Sequence, residues 1–245
     1  MPLLYRRMRD GDVDDPDMEE YWLSLRYLKF NAGYPLLFAA HQRLNQHGQK
    51  THAKALRALA IRDNLICNLD RASLESLSFA CAKAISQGAS ADDALILLRS
   101  KSPKDEIFAQ SFATLSFSSG EHGAARYLLR LFDEYMATTQ EVTLAGTDSV
   151  HVEHIYPQTP KDAEKWEKHS TFVNRLGNLT LLDRRLNEQI KNSDFQTKKV
   201  QAHQASKLEI TRQLLTYPDF SPQRVEERQA FLLGLAKKMW PHELV

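Results

Sequence analysis

The chain has 245 residues, 42% of them hydrophobic and 26% charged, and a formal net charge of +1. That make-up excludes a disordered or fibrous protein and describes one that can bury a sizeable core, as one large domain or two small ones. A net charge near zero says little about nucleic acid through the field of the whole molecule, so any DNA affinity must come from a local basic patch.

In chain order, residues 1–16 are mixed in charge, with Gly11 and Pro16 as breakers, and form a lead-in without the apolar stretch of a signal peptide. Asp17 is placed to cap a helix over 18–30, in which Tyr21, Leu25 and Leu28 share a face. Pro35 suits the first turn of a second helix, which Gly48 is expected to close. Further helices are predicted over 51–67, over 71–87 with Gly88 as the stop, over a short stretch capped by Ser90, after Pro103, and over 123–136. No apolar run approaches the roughly 18 residues of a membrane span. Cys67 and Cys81 form no CxxC pair, which argues against a disulfide framework and against structural zinc, and fits a reducing cytoplasm.

The character changes near Thr138. Residues 138–149 are a Thr-rich connector, 150–156 alternate as a strand does, and 179–182 are a second short apolar run. Asp183 can cap a helix reaching about Lys199, and more helix is expected over 206–215 and 222–239. The fold class is therefore mainly α (α+β): a helical scaffold domain over 1–140, then a domain over 141–245 that carries one β-hairpin and its following helix.

The chemistry concentrates on that hairpin. Glu153 and His154 stand where the first strand ends at Pro157, Asn178 precedes the second strand, and Asn187 lies early in the next helix. Hydrolysing a phosphodiester needs a base for water, which a histidine supplies. It also needs a Lewis acid for the phosphate, and a hard cation takes carboxylate and amide oxygens. Strand neighbours point to opposite faces, so Glu153 and His154 share a site only if the strand twists or stops there. Arg184, Arg185, Lys191 and Lys198 are candidate DNA contacts, and the stretch 183–199 holds five basic residues against three acidic, a net of +2. A solvated surface lysine is an equal reading of Lys198. His151 shares the strand face of Glu153 and reads first as a partly exposed strand residue; Trp166 reads as a packing anchor. No Gly-rich phosphate loop is present, so no nucleotide site is expected in this chain.

The series Glu153-His154-Ile155-Tyr156-Pro157-Gln158, Trp166, Leu176-Gly177-Asn178-Leu179-Thr180-Leu181-Leu182, Asn187, Asn192, Phe195 and Lys198 resembles the His-Asn-His (ββα-metal) nucleases. More narrowly it resembles the C-terminal nuclease domain of GmrSD-type modification-dependent (type IV) restriction endonucleases. Tyr34-Pro35-Leu36-Leu37 and Ala125-Arg126-Tyr127-Leu128-Leu129 resemble that family's helical part. The resemblance implies a DNA endonuclease with His154 as general base, Glu153 and Asn187 as ligands of Mg²⁺ or Mn²⁺, and Asn178 as organiser of the hairpin. Many relatives in the wider superfamily carry Asp or His at the position of Glu153 and His at that of Asn187. It also implies modified phage DNA as the target, and a nucleotide-hydrolysing recognition subunit or domain outside this chain. The chain is then a separate nuclease subunit or a C-terminal fragment. Two alternatives stay open: a catalytically degenerate DNA-binding or assembly subunit, and a nonspecific nuclease or RNase of toxin type.

Overall fold

The computed structural model describes Arg6 and residues 15–137, 150–161 and 165–244. The lead-in and the Thr-rich connector lie almost wholly outside the described residues. The fold is mainly α with one embedded hairpin–helix unit. It divides into two compact units, one of 1–112 with 240–245 and one of 113–239. The boundary expected at 140/141 falls inside the second unit, which therefore includes the helix before the connector. Among the described residues no helix is long and apolar enough to cross a membrane.

The first unit is helical. Helices α1 (Pro16–Tyr27), α2 (Tyr34–Arg43), α3 (Gln46–Leu59), α4 (Arg71–Ser86), α5 (Ala91–Arg99) and α6 (Asp105–Ala113) follow in order, and α6 runs to the unit boundary. Trp22 is fully buried and stacks on Tyr34, with ring centroids 5.6 Å apart. Gly48 does not close α2. Asn45 caps α3 by accepting from Gly48 N at 2.8 Å, so the glycine sits in the first turn of α3. Helix α3 passes into a π-helical segment, Ala60–Cys67, ended by Asn68 at φ 48. Gly88 ends the following helix at φ 95, a conformation that glycine adopts without a Cβ clash.

The second unit is built around a two-stranded antiparallel sheet. Helix α7 (His122–Met136) precedes β1 (Val150–His154); α8 (His169–Phe172) lies in the connection to β2 (Leu179–Asp183). Val150 pairs with Asp183 and His154 with Leu179. Helix α9 (Arg184–Ile190) starts under the Asp183 cap, whose carboxylate accepts from Arg185 N at 2.9 Å. It stops at Ile190 instead of reaching Lys199. Lys191 takes φ 43, and Asp194 caps a new short helix, α10 (Phe195–Lys198). Helices α11 (Glu209–Arg212) and α12 (Pro222–Met239) complete the unit.

Helix α12 fixes the turn that leads into β2. Gly177 N donates to Gln229 Oε1 at 2.6 Å, and a Cβ at Gly177 would meet Val225 O at 2.2 Å. Arg228 is fully buried and donates to the carbonyls of Leu179 (2.6 Å), Gly177 (3.2 Å) and Ile210 (3.2 Å). Burial pulls its pKa down to about 10, which leaves it charged at neutral pH.

Candidate active site

The run Val-His-Val-Glu-His forms β1 because β-branched residues alternate with polar ones, and the strand ends just before Pro157. The two residues that follow it are tied to the turn before β2. Ile155 N donates to Asn178 O at 2.9 Å, and Tyr156 N donates to Asn178 Oδ1 at 2.9 Å. Asn178 is fully buried, and its Nδ2 donates to Tyr156 O (3.1 Å) and Val173 O (2.8 Å). One side chain thus joins the end of β1 to the start of β2. Trp166 stacks on Tyr156 with centroids 3.5 Å apart and donates from its backbone N to Tyr156 Oη at 3.1 Å. The apolar body of that connection is an aromatic cluster.

His154 is 6% exposed. Its Nε2 lies 3.2 Å from Asn174 Oδ1 and 3.3 Å from Gln158 Nε2. An amide oxygen only accepts, whereas an amide nitrogen only donates, so both contacts cannot hold with one proton state. Gln158 is exposed and free to turn its oxygen inward; Asn174 is half-buried. The Asn174 bond therefore decides the tautomer: Nε2 carries the proton, and Nδ1, with no hydrogen bond among the described residues, keeps its lone pair. Burial pushes the ring's pKa down to about 4, with His122, Lys198 and His169 lowering it further and the Asn174 bond raising it.

Glu153 turns to a different set of partners. Its Oε1 lies 2.5 Å from Lys198 Nζ, which also donates to His154 O at 2.6 Å. Lys198 is 1% exposed, so it is not a surface lysine and cannot reach a phosphate from there. Its ammonium instead fixes the Glu153 carboxylate and the backbone of His154. Burial raises the pKa of Glu153 while Lys198 and the His154 amide lower it; burial lowers that of Lys198 while Glu153 raises it.

Asn187 is half-buried, one turn into α9, and its amide makes no hydrogen bond among the described residues. Helix α9 packs on both strands. Arg184, Arg185 and Lys191 are exposed, and Arg184 Nε pairs with Glu188 at 2.8 Å. Asn192 donates to Thr159 Oγ1 at 2.7 Å. His151 is half-buried, with a shielded, unpartnered Nε2.

Three participants were not read from the sequence. His122 opens α7 and meets His154 with ring centroids 5.8 Å apart. Asn174 sits between α8 and β2, and nothing in its spacing marks it. His203 is fully buried with both ring nitrogens unpartnered, and its pKa is pushed down to about 4 by burial first, then by Lys198 and Arg228. Arg228 did carry a signal: it falls on the same helical face as Val225 and Leu232, a core position for a charge.

Glu153 and Asn187 supply hard oxygens and no thiolate, the donor chemistry of Mg²⁺ or Mn²⁺ rather than of zinc. Among the described residues no group of three or more His, Cys, Asp and Glu could hold a metal ion. One carboxylate oxygen and one amide oxygen suit Mg²⁺, which keeps several waters and takes the rest of its shell from substrate phosphate.

The family model "GmrSD restriction endonucleases, C-terminal domain" matches residues 102–235, more than half of the chain and nearly all of the second unit. A search of curated proteins returned no match. The chain belongs to the family of GmrSD restriction endonuclease C-terminal domains, and its function is of the restriction-endonuclease type, a nuclease acting on DNA.

Proposed function

We propose that the chain is a divalent-metal-dependent DNA endonuclease of the His-Asn-His type, in a restriction system directed at modified phage DNA. The observation that carries this reading is the state of His154. It is enclosed at a strand end, with Nε2 held by Asn174 and Nδ1 left as a base.

His154 Nδ1 takes a proton from water as the oxygen bonds to phosphorus. The P–O3′ bond breaks, giving a 5′-phosphate and a 3′-alkoxide that is protonated from solvent. Asn178 holds the two strand ends together so that the ring does not drift. Asn174 holds the tautomer. Lys198 holds the Glu153 carboxylate and the His154 carbonyl in place. A divalent cation held by Glu153 and Asn187 would supply Lewis-acid stabilisation of charge on the phosphate and the departing oxygen. Arg185 and Lys191, exposed beside the hairpin, are the DNA backbone contacts of this reading, with Arg184 available if it leaves Glu188. A nucleotide-hydrolysing recognition partner supplies target choice.

One observation favours a second reading. The Lys198 ammonium neutralises Glu153 and weakens its pull on a dication, as in a DNA-binding subunit without catalysis. Incubation of supercoiled plasmid with the full chain and Mg²⁺, Mn²⁺ or EDTA separates the two. Metal-dependent nicking supports the enzyme; retarded but uncut plasmid supports the second reading.

A further inference from the structure

We infer that His122 is a second catalytic residue of the hairpin site, donating from Nε2 to a non-bridging oxygen of the phosphodiester under attack. The inference rests on the nuclease reading above and adds the group that holds the phosphate opposite the base.

His122 is the first residue of α7, and its ring is tilted by 52° against that of His154 at a centroid distance of 5.8 Å. Its Nε2 is shielded from solvent and has no hydrogen-bond partner among the described residues. Leaving a buried donor unsatisfied costs about 1–3 kcal/mol. An acceptor arriving at that nitrogen removes that cost. Orphaned ring nitrogens occur elsewhere, as in His203, but that of His122 belongs to a ring packed on the base.

Glu121 Oε2 accepts from Ser118 N at 2.9 Å and from Ser118 Oγ at 2.5 Å, which caps the 3-10 turn Ser119–Glu121 just before α7. The unpartnered ring nitrogen, beside the base, points to the ligand. Burial and then Arg126 lower the pKa of His122, which keeps it neutral at pH 7. A neutral imidazole presents one N–H and transfers no proton to the base. A phosphodiester oxygen is the acceptor that an unpaired N–H beside the base would meet. In the step, water gives its proton to His154, oxygen bonds to phosphorus, and the P–O3′ bond breaks. His122 keeps its proton throughout and holds the charge that grows on the non-bridging oxygen.

The test uses the full chain in two arms. In the first, ring nitrogens labelled with ¹⁵N are followed by NMR as a short DNA duplex is added without metal, in wild type and in His154→Ala. The His122 Nε2 resonance is expected to shift in both. In the second, supercoiled plasmid is cut with Mn²⁺. His122→Ala is expected to lose about 100-fold in kcat with little change in KM, and His122→Gln, which retains an N–H donor, to recover about tenfold. An unmoved His122 resonance, or wild-type kcat in a His122→Ala protein, overturns the inference. Absence of cutting by wild type overturns the nuclease reading instead, and the NMR arm then decides the phosphate contact by itself.

Discussion

Lys198 Nζ stands 2.5 Å from Glu153 Oε1, and the pair is almost wholly buried, the two side chains being 1% and 11% exposed. Forty-five residues of sequence separate them, yet one ammonium ties the end of β1 to α10. Breaking such a pair from one side leaves a charge without a partner. Lys198→Met is therefore expected to cost about 3–5 kcal/mol in urea denaturation. The double variant Glu153→Gln with Lys198→Met should recover most of it, since neither charge remains. Equal instability of the single and double variants would mean that the pair's charges are not what matters.

Asn178 makes three buried hydrogen bonds, to Tyr156 N, Tyr156 O and Val173 O. Asn178→Asp keeps the acceptor and loses both donors, leaving two carbonyls facing a carboxylate. A loss of about 2–4 kcal/mol is expected, together with a fall in cleavage of about 10–100-fold as the hairpin loosens. Thermal melts and plasmid cleavage on the same preparations check both. Loss of stability with full activity would remove Asn178 from the site.

Gly177 is enclosed by the backbone of α12. A methyl group there would sit 2.2 Å from Val225 O, a backbone atom on α12 that cannot step aside alone. Gly177→Ala is expected to destabilise the second unit by about 3 kcal/mol or more. A wild-type denaturation midpoint would show that α12 yields freely.

Asp63 gives a pH prediction for the first unit. Burial first, and Asp70 second, raise its pKa from 3.8 to about 6, and its Oδ1 has no partner among the described residues. A carboxyl whose folded pKa is raised stabilises the fold fully below its unfolded pKa, and that contribution disappears as pH rises through about 6. Asp63→Asn, which cannot ionise, should therefore be more stable than wild type by about 1–3 kcal/mol at pH 8 and equal to it at pH 4. Urea midpoints at the two pH values measure this, and an equal gap at both would refute it.

The parts of this structure that were legible in the sequence are local ones. The alternation of Val150 to His154 and the apolar run at Leu179 to Leu182 show the hairpin, and Asp183 and Ser90 show their caps because each cap needs a partner only two or three residues away. Gly48 misled because a glycine within a first turn looks like a stop; Asn45, which caps that turn, was the better signal. The helix after the hairpin was read too long because its periodicity continues past Ile190. The positive φ at Lys191 and the second cap at Asp194 interrupt it. Long-range choices were not legible. Lys198 has the spacing of a surface residue until Glu153 arrives from β1. Asn174 and His122 meet His154 only through the packing of their elements in the second unit. Sequence order carries no trace of such meetings.

The most direct test of the account is the rate of plasmid cleavage by His154→Ala with Mn²⁺, with the fold checked by circular dichroism and free imidazole added in a parallel series. The account predicts an intact fold, a loss of about 100- to 10,000-fold, and partial return of activity as imidazole rises. Cleavage by His154→Ala at the wild-type rate would contradict the assignment of the base, and with it the mechanism built around the hairpin.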